Sequence, residues 1–292
     1  MLRLTRDQII YSFDKAHPPV ARIDPGAEVC FETWDARTGT ITSDQDLLVQ
    51  PHPKGPNPAT GPVLVRGAEP GDALVVEIQE IRLGSRGYTG IRPNQGVLGH
   101  LIRDYRTKVL EIVDGMVLFN NRVRFPIRPM LGVIGTAPGG AGVGNLHPGP
   151  HGGNMDHNDV RVGARVSLPV FVPGALLALG DVHAVMGDGE ISITALEICG
   201  EVTVRVDLVK GEPLARPLIE FPDCWITTGD GPLATDAIRV ACEEMAGLLQ
   251  RRLGLSVEDA YMLIGIRGDV RVSQCCEPSA VAATARVVMP RV

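Results

Sequence analysis

Short strand-like runs separated by turn residues fill the chain from about residue 20 to residue 221. The clearest run is 202–208 (VTVRVDL), where apolar and polar side chains alternate with the period of two that is typical of a strand with one wet face. Residues 73–81 and 190–198 show a similar pattern. Pro-Gly and Gly-Asp turns separate these runs without a long helix between them. The sequence therefore predicts a sandwich or barrel rather than a βαβ fold.

Composition supports a folded, turn-rich chain. The 292 residues include 34 Gly and 23 Pro, while 44% are hydrophobic and only 4% are aromatic. This combination argues against both disorder and a helical bundle. The length allows one large β-rich domain or two smaller ones.

The pattern changes near Pro232. Apolar residues then recur three or four apart, which predicts one face of a helix that ends near Gly254. A pattern resembling a capping box at 256–259 predicts a second, shorter helix, and residues 269–273 look like a returning strand. We therefore expect a β-rich body over 1–221 that carries the site, and an α+β section over 222–292 packed on it. The face of the first helix comprises Ile238, Ala241, Cys242, Met245, Leu248 and Leu249.

Charge and hydropathy exclude several kinds of partner. Lys plus Arg is 28 and Asp plus Glu is 34, a net charge of −6 without a basic run, so we expect no nucleic acid partner. The longest apolar stretch, 166–179, contains two prolines and a glycine, so we expect no membrane span. The first seven residues lack an apolar signal-peptide core, which favours the cytoplasm. The six cysteines show no Cys-x-x-Cys spacing and are interpreted as free thiols.

Residues 180–190 (GDVHAVMGDGE) carry the most informative polar side chains. If Asp181 and His183 lie on a strand, their side chains point to the same face, and a turn at 187–189 folds Glu190 back beside them. Two carboxylates and an imidazole suit Zn²⁺ or a similar divalent ion. The alternative is an ordinary hairpin with a hydrogen-bonded histidine, which this pattern alone does not exclude.

A second polar group lies in residues 151–157 (HGGNMDH). Gly152 and Gly153 allow a sharp turn and a close approach to a ligand. Asn154, Asp156 and the two histidines supply donors and acceptors for a metal or amide site. A nucleotide site is not indicated, because no Gly-Lys-Ser/Thr motif or Gly-x-Gly-x-x-Gly motif before a helix occurs here. The alternative is a long glycine-rich surface loop.

Other polar residues stand alone. Asp35, in 32–35 (ETWD), reads by itself as a turn aspartate, because an Asp shortly before a Gly usually has that role. Cys275 and Cys276 have no base that the sequence pairs with them, so we interpret them as buried or incidental. Four isolated histidines are interpreted as structural or surface residues: His17, His52, His100 and His147.

Several motifs in one order resemble the acetamidase/formamidase family over nearly the whole chain. They are NPATGPVLVRGAEPGD at 57–72, RPMLGVIG at 128–135, HGGNMD at 151–156, GDVH at 180–183 with GDGE at 187–190, AYML at 260–263 and DVRVSQ at 269–274.

This resemblance implies hydrolysis of the C–N bond of small linear amides, such as formamide or acetamide, to a carboxylate and ammonia. It implies a mainly β fold with a β-sandwich or jelly-roll-like body, a β-barrel-like portion and the α+β C-terminal section. It also implies a divalent metal, zinc or else calcium, and a homodimer or larger homo-oligomer. Asp35 occupies the aspartate of the family's Glu-Thr-x-Asp pattern.

Amide hydrolysis needs an activated water, charge stabilisation at the carbonyl oxygen and a proton for the leaving nitrogen. On the resemblance we assign the metal to Asp35, Asp156, Asp181 and His183, and catalysis to Glu190 as general base or further ligand, with Asp156 and His183. Asn154 and the backbone N–H groups of Gly152 and Gly153 would bind the substrate amide. Two alternatives stay open: a hydrolase for lactams or bulkier amides, and a non-catalytic β-sandwich module that binds a small polar ligand or calcium.

Overall fold

The structure is a computed structural model that describes residues 1–49, 55–276 and 282–292, and His52 lies outside this part. The described chain is mainly β, as the alternating runs predict. The strands are β1 Leu2–Leu4, β2 Ile9–Ile10, β3 Ser12–Phe13, β4 Ala21–Ile23, β5 Ala27–Thr33, β6 Ala59–Val65, β7 Ala73–Leu83, β8 Arg86–Ile91, β9 Arg106–Val113, β10 Met116–Leu118, β11 Arg124–Pro126, β12 Met130–Gly135, β13 Val143–Gly144, β14 Pro148–Gly149, β15 Gly152–Asn154, β16 Arg165–Pro169, β17 Leu177–His183, β18 Gly200–Val209, β19 Leu218–Phe221, β20 Cys224–Gly231, β21 Asp269–Gln274 and β22 Ala283–Pro290.

Two large sheets form the sandwich. One has nine strands in the order β1-β5-β18-β7-β16-β19-β20-β22-β21, and the other has the order β14-β15-β12-β17-β6-β2 with β4 beside β6. The alternation that predicts β18 holds, because Val202, Val204 and Val206 are fully buried. They share one apolar core with Leu131 of β12 and Leu177 of β17, so the core lies between the two sheets.

Smaller sheets complete the β structure. Strands β8 to β11 form a four-stranded sheet, and β3 pairs with β13. Among the described residues every sheet is open, so the barrel-like portion does not take the form of a closed barrel. The mainly β fold with a C-terminal α+β part is confirmed.

The C-terminal section contains both expected helices. Helix α1 spans Ala234–Leu253 and ends at Gly254, whose φ of 69° is the left-handed conformation that glycine favours at this position. Helix α2 spans Val257–Arg267, and its N-cap Ser256 accepts a hydrogen bond from the backbone N–H of Asp259. Helix α1 packs on β20 and β22, and α2 packs on α1 and β22. Because β19 pairs with both β16 and β20, the sheet continues across residue 221. The division into two parts there stays a prediction.

The strand expected over 190–198 is wrong, and so is the hairpin that would lead into it. After β17 ends at His183 the chain follows turns and isolated bridges until β18 begins. Glu190 and Ile193 have φ values of 41° and 73°, which a pleated strand does not allow. The alternating apolar residues here belong to an irregular loop in which Ala195, Leu196 and Ile198 are buried and Ile191 is exposed. None of the helices in the described part of the chain has the length and apolar character needed to cross a membrane.

Candidate active site

Residues from both large sheets, from β8 and from the 184–199 loop line a cavity of about 160 Å³. Four acidic residues line it, and all four are at least nine-tenths buried: Asp156, Asp181, Glu190 and Glu197. His183 lies among them with only 1% of its surface exposed. So many ionisable groups in a small buried volume are typical of a functional site.

Strand β17 places Asp181 and His183 at the cavity because the alternation of inward and outward side chains along this strand changes phase. Leu177, Leu179 and Val182 all belong to the apolar core, which strict alternation would not permit. Asp181 has a φ of 53°, and this left-handed residue turns the strand so that Val182 packs inward. Asp181 and His183 then share the cavity side, as the sequence predicts.

His183 lies within reach of carboxylates on both sides of its ring. Its Nε2 atom is 3.3 Å from Oε2 of Glu197 and 3.6 Å from Oδ1 of Asp181. Its Nδ1 atom is 4.0 Å from Oδ1 of Asp156, beside Glu190. The imidazole thus belongs to two groups of potential metal ligands, Asp156–His183–Glu190 and Asp181–His183–Glu197.

The atoms of these groups that face one another have no hydrogen-bond partner among the described residues. They are Oδ1 of Asp156, Oδ1 of Asp181, Oε2 of Glu197 and both ring nitrogens of His183. Buried polar atoms are nearly always paired, because an unpaired one costs about 1–3 kcal/mol. A set of carboxylate oxygens and imidazole nitrogens is one that a divalent metal accepts. The residues therefore fit a divalent ion.

Burial and mutual repulsion shift the titration of the site. Burial raises the pKa of Asp156 well above its usual range, and the charge of Glu190 adds to this shift. Burial also raises the pKa of Asp181 and of Glu190. For His183 burial alone would lower the pKa, but Glu197 and Asp181 outweigh it, so its pKa is raised well above the ordinary value. The carboxylates of Glu197 and Asp181 thus favour the protonated form of the imidazole, against the effect of burial.

Amide side chains hold the carboxylates in place. The Nε2 group of Gln274 donates to Oδ2 of Asp156 at 2.5 Å and to Oε2 of Glu190 at 3.1 Å. The Nδ2 group of Asn57 donates to Oδ2 of Asp181 at 2.9 Å and to Oδ1 of Asn154 at 3.1 Å. Asp156 and Asp181 thus each keep Oδ2 fixed by an amide and have Oδ1 near His183.

The backbone around the site adopts conformations that side-chain-bearing residues seldom take. Asn57, Asp156, Asp181 and Glu190 all have φ between 41° and 57°. Such conformations cost of order 1–3 kcal/mol and concentrate at functional sites. Gly132 of β12 adds a further constraint, because a Cβ there would collide with carboxylate oxygens of both Asp156 and Asp181.

A buried arginine ties together the segments behind the cavity. Arg286 of β22 is fully buried and donates to Asp159, Asp188 and Ser273. Asp159 follows Asp156 by three residues and Asp188 precedes Glu190 by two. Arg286 thereby fixes the two loops that carry these carboxylates.

Some predicted site residues lie elsewhere. Asp35 is in neither ligand group, because its oxygens accept the backbone N–H groups of Arg37 and Gly39 and the thiol of Cys199. This matches the turn aspartate that its sequence indicates. Gly152 and Gly153 lie in β15, which pairs with β12 and β14, and they do not line the cavity.

Other predicted residues come together. Asn154 lines the cavity beside Asp156, and Glu190 reaches His183 through the loop instead of a hairpin. Glu197, Asn57 and Cys276 line the same cavity and were missed as site residues. Asn57 stands in a family motif and could have been found there, as could Gln274, whereas no spacing signal singles out Glu197.

Comparison with known proteins identifies the family of this chain. The model of the Acetamidase/Formamidase family matches residues 5–141 and 140–290, so the chain belongs to the acetamidase/formamidase family. The crystal structure of an acetamidase from Bacillus halodurans is 40% identical, with a TM-score of 0.95 over 99% of this chain and 97% of that one. An acetamidase of Mycolicibacterium smegmatis is 28% identical over 89% of this chain and 86% of the relative.

Two further relatives extend the comparison. A Schizosaccharomyces pombe protein is 31% identical over 66% of this chain, and the match spans 63% of its length, less than two thirds. The structure of a gamma lactamase from Delftia acidovorans is 25% identical, with a TM-score of 0.69 over 98% of this chain and 89% of that one.

Proposed function

We propose that this protein hydrolyses the C–N bond of a small linear amide, with the help of a divalent metal, to a carboxylate and ammonia. The observation that carries the proposal is the meeting of His183 with four buried carboxylates, three of which (Asp156, Asp181 and Glu197) turn an oxygen without a hydrogen-bond partner toward it. Family membership supports the reaction class.

We assign the metal to His183 with Asp181, Glu197 and Asp156. A bound divalent ion would polarise the amide carbonyl and lower the pKa of water toward neutrality. The mixed set of nitrogen and oxygen ligands favours zinc, because calcium is held by oxygen atoms alone. Asp35 no longer belongs to this set.

Glu190 is our candidate for the general base. It takes a proton from the attacking water as the new C–O bond forms, and it gives that proton to the nitrogen as the C–N bond breaks. Gln274 orients this carboxylate and leaves the second oxygen of Glu190 for the proton. The alternative role of Glu190 is that of a metal ligand in the group with Asp156 and His183.

Substrate binding falls to the amide of Asn154. Its Oδ1 atom accepts from Asn57, so the Nδ2 group is the part that we assign to the substrate carbonyl. A cavity of about 160 Å³ suits a small molecule, since an engineered cavity of about 150 Å³ holds benzene. Formamide and acetamide are both smaller than benzene.

The experiment is an ammonia assay on metal-analysed protein with formamide, acetamide, propionamide and 2-pyrrolidinone. We expect release from the linear amides and turnover that rises with metal content. Glu190→Gln decides between the two roles: a base variant keeps its metal and loses turnover, whereas a ligand variant loses both. Absence of ammonia release from every compound by metal-loaded protein would favour a non-catalytic binding module.

A lactam hydrolase is the second candidate, because the Delftia acidovorans gamma lactamase shares this fold over 98% of the chain. Faster turnover of 2-pyrrolidinone than of acetamide would favour it. A cytoplasmic location and a homodimer or larger homo-oligomer stay predictions.

A further inference from the structure

Arg92 lines the same cavity as the acidic groups, although it makes no ion pair with them. It follows β8, is partly buried, and donates from Nη1 to Oε1 of Gln95 at 3.4 Å. Among the described residues this long contact is the one side-chain hydrogen bond that Arg92 forms. The buried Nε–H of Arg92 has no partner there.

A second arginine lies near Arg92. The charged neighbour that acts on it most is Arg37, which lines the same cavity, and the tyrosines Tyr88 and Tyr105 lie nearby. Burial and the Arg37 charge lower the pKa of Arg92. Among the described residues Arg92 forms no ion pair with a carboxylate. The cavity therefore has an acidic region around His183 and a basic region at Arg92.

A half-buried guanidinium is expensive without an anion, because part of its hydration is lost and no partner replaces it. The planar fork of arginine matches a carboxylate with two parallel N–H donors. The acidic residues cannot fill this role, since they face His183. Among the residues that the structure describes no carboxylate pairs with Arg92, and a carboxylate carried by the substrate would supply such a partner.

We propose that Arg92 selects amides that carry a carboxylate at the end opposite to the amide. Such a substrate is a short half-amide of a dicarboxylic acid, and its hydrolysis gives the dicarboxylate and ammonia. This inference rests on the proposed amide hydrolysis, which acts at the acidic region. The cavity volume of about 160 Å³ limits the chain between the two ends to a few carbons.

The test compares succinamate with succinamide, which replaces the carboxylate by a second amide of the same size. We expect kcat/KM for succinamate to exceed that for succinamide at least tenfold, after correction for two amide groups. Arg92→Gln should lower this ratio at least tenfold, and Arg92→Lys should lower it less. Arg103→Gln, which removes a charge from an exposed position, should leave the ratio as it is.

Binding provides a second readout that does not depend on turnover. Calorimetry with succinate should show weaker binding to Arg92→Gln than to the wild type, and the difference should shrink at high salt. A ratio near one in a wild-type protein that hydrolyses both compounds would overturn the inference. So would an unchanged ratio or unchanged succinate affinity in Arg92→Gln. Failure to hydrolyse any amide would instead contradict the proposed function and leave the binding comparison to decide on Arg92.

Discussion

The Nε2 atom of His183 lies 3.3 Å from the Oε2 atom of Glu197, and the same two residues also form a backbone bridge. The other carboxylate oxygen of Glu197 accepts the backbone N–H of Ala195. One oxygen of Glu197 is thus fixed by the backbone, and the other is directed at the imidazole. No sequence motif marks this residue, yet its position relative to the histidine matches that of Asp181.

Glu197→Gln tests this position. The variant keeps the shape of the side chain but removes the charge, so we expect a large loss of bound metal after dialysis and a matching loss of ammonia release. Metal analysis and the ammonia assay measure both effects. Glu212→Gln, an exposed change in the loop after β18, is the control. Wild-type metal content and turnover in Glu197→Gln would exclude Glu197 as a metal ligand.

Gly132→Ala tests the close approach of β12 to the carboxylates. The added methyl group would displace Asp156 and Asp181, and misplacement by about 1 Å can lower turnover about 100-fold. Gly140→Ala is the matched control, because a Cβ there meets no atom within 4 Å. Steady-state kinetics on both variants, with circular dichroism to check folding, decide the result. Equal activity of the two variants would contradict the packing described for Gly132.

Arg286→Met tests the buried network behind the cavity. The change removes the buried guanidinium that Asp159 and Asp188 share, so we expect a loss of about 3–5 kcal/mol in the free energy of unfolding. Urea denaturation measures this loss. Arg271→Met, which removes an exposed pair with Asp269, should cost less than about 1 kcal/mol. Equal effects of the two changes would refute a special role for Arg286.

His151 predicts a pH dependence of stability. Burial lowers its pKa to about 4, whereas the unfolded chain binds the same proton near pH 6.5. The stability from the neutral ring is complete above about pH 6.5 and is lost as the pH falls toward 4, with a total of order 3 kcal/mol. His151→Leu should therefore lose less stability than the wild type between pH 7 and pH 4. If the free energy of unfolding of the two proteins fell by the same amount between pH 7 and pH 4, the prediction would be contradicted.

The sequence predicts most of the fold because its signals are local. Alternation marks β18, a period near 3.6 marks α1, and Ser256 caps α2 as its pattern indicates. The sequence does not predict the irregular loop from 184 to 199, because its apolar residues alternate as they would in a strand. The left-handed backbone at Glu190 and Ile193 distinguishes the observed loop from a strand. The folded structure, not the local sequence, determines that conformation.

The site was predictable where its residues share a strand or a short motif. Asp181 and His183 are two residues apart on one strand and Asp156 lies in a glycine-rich motif, whereas the change of phase at Asp181 is a property of the fold. Glu197 and Arg286 come from distant segments that meet only in the folded chain. A single charged residue in an apolar run gives no indication of the partner that it will meet.

The most direct test of the central claim is ammonia release from formamide and acetamide by one preparation measured before metal removal, after it, and after reloading with zinc. Metal content is determined at each stage. We predict that activity falls with the metal and returns with zinc. Full activity of protein verified to be metal-free would contradict the metal-dependent hydrolysis that we propose.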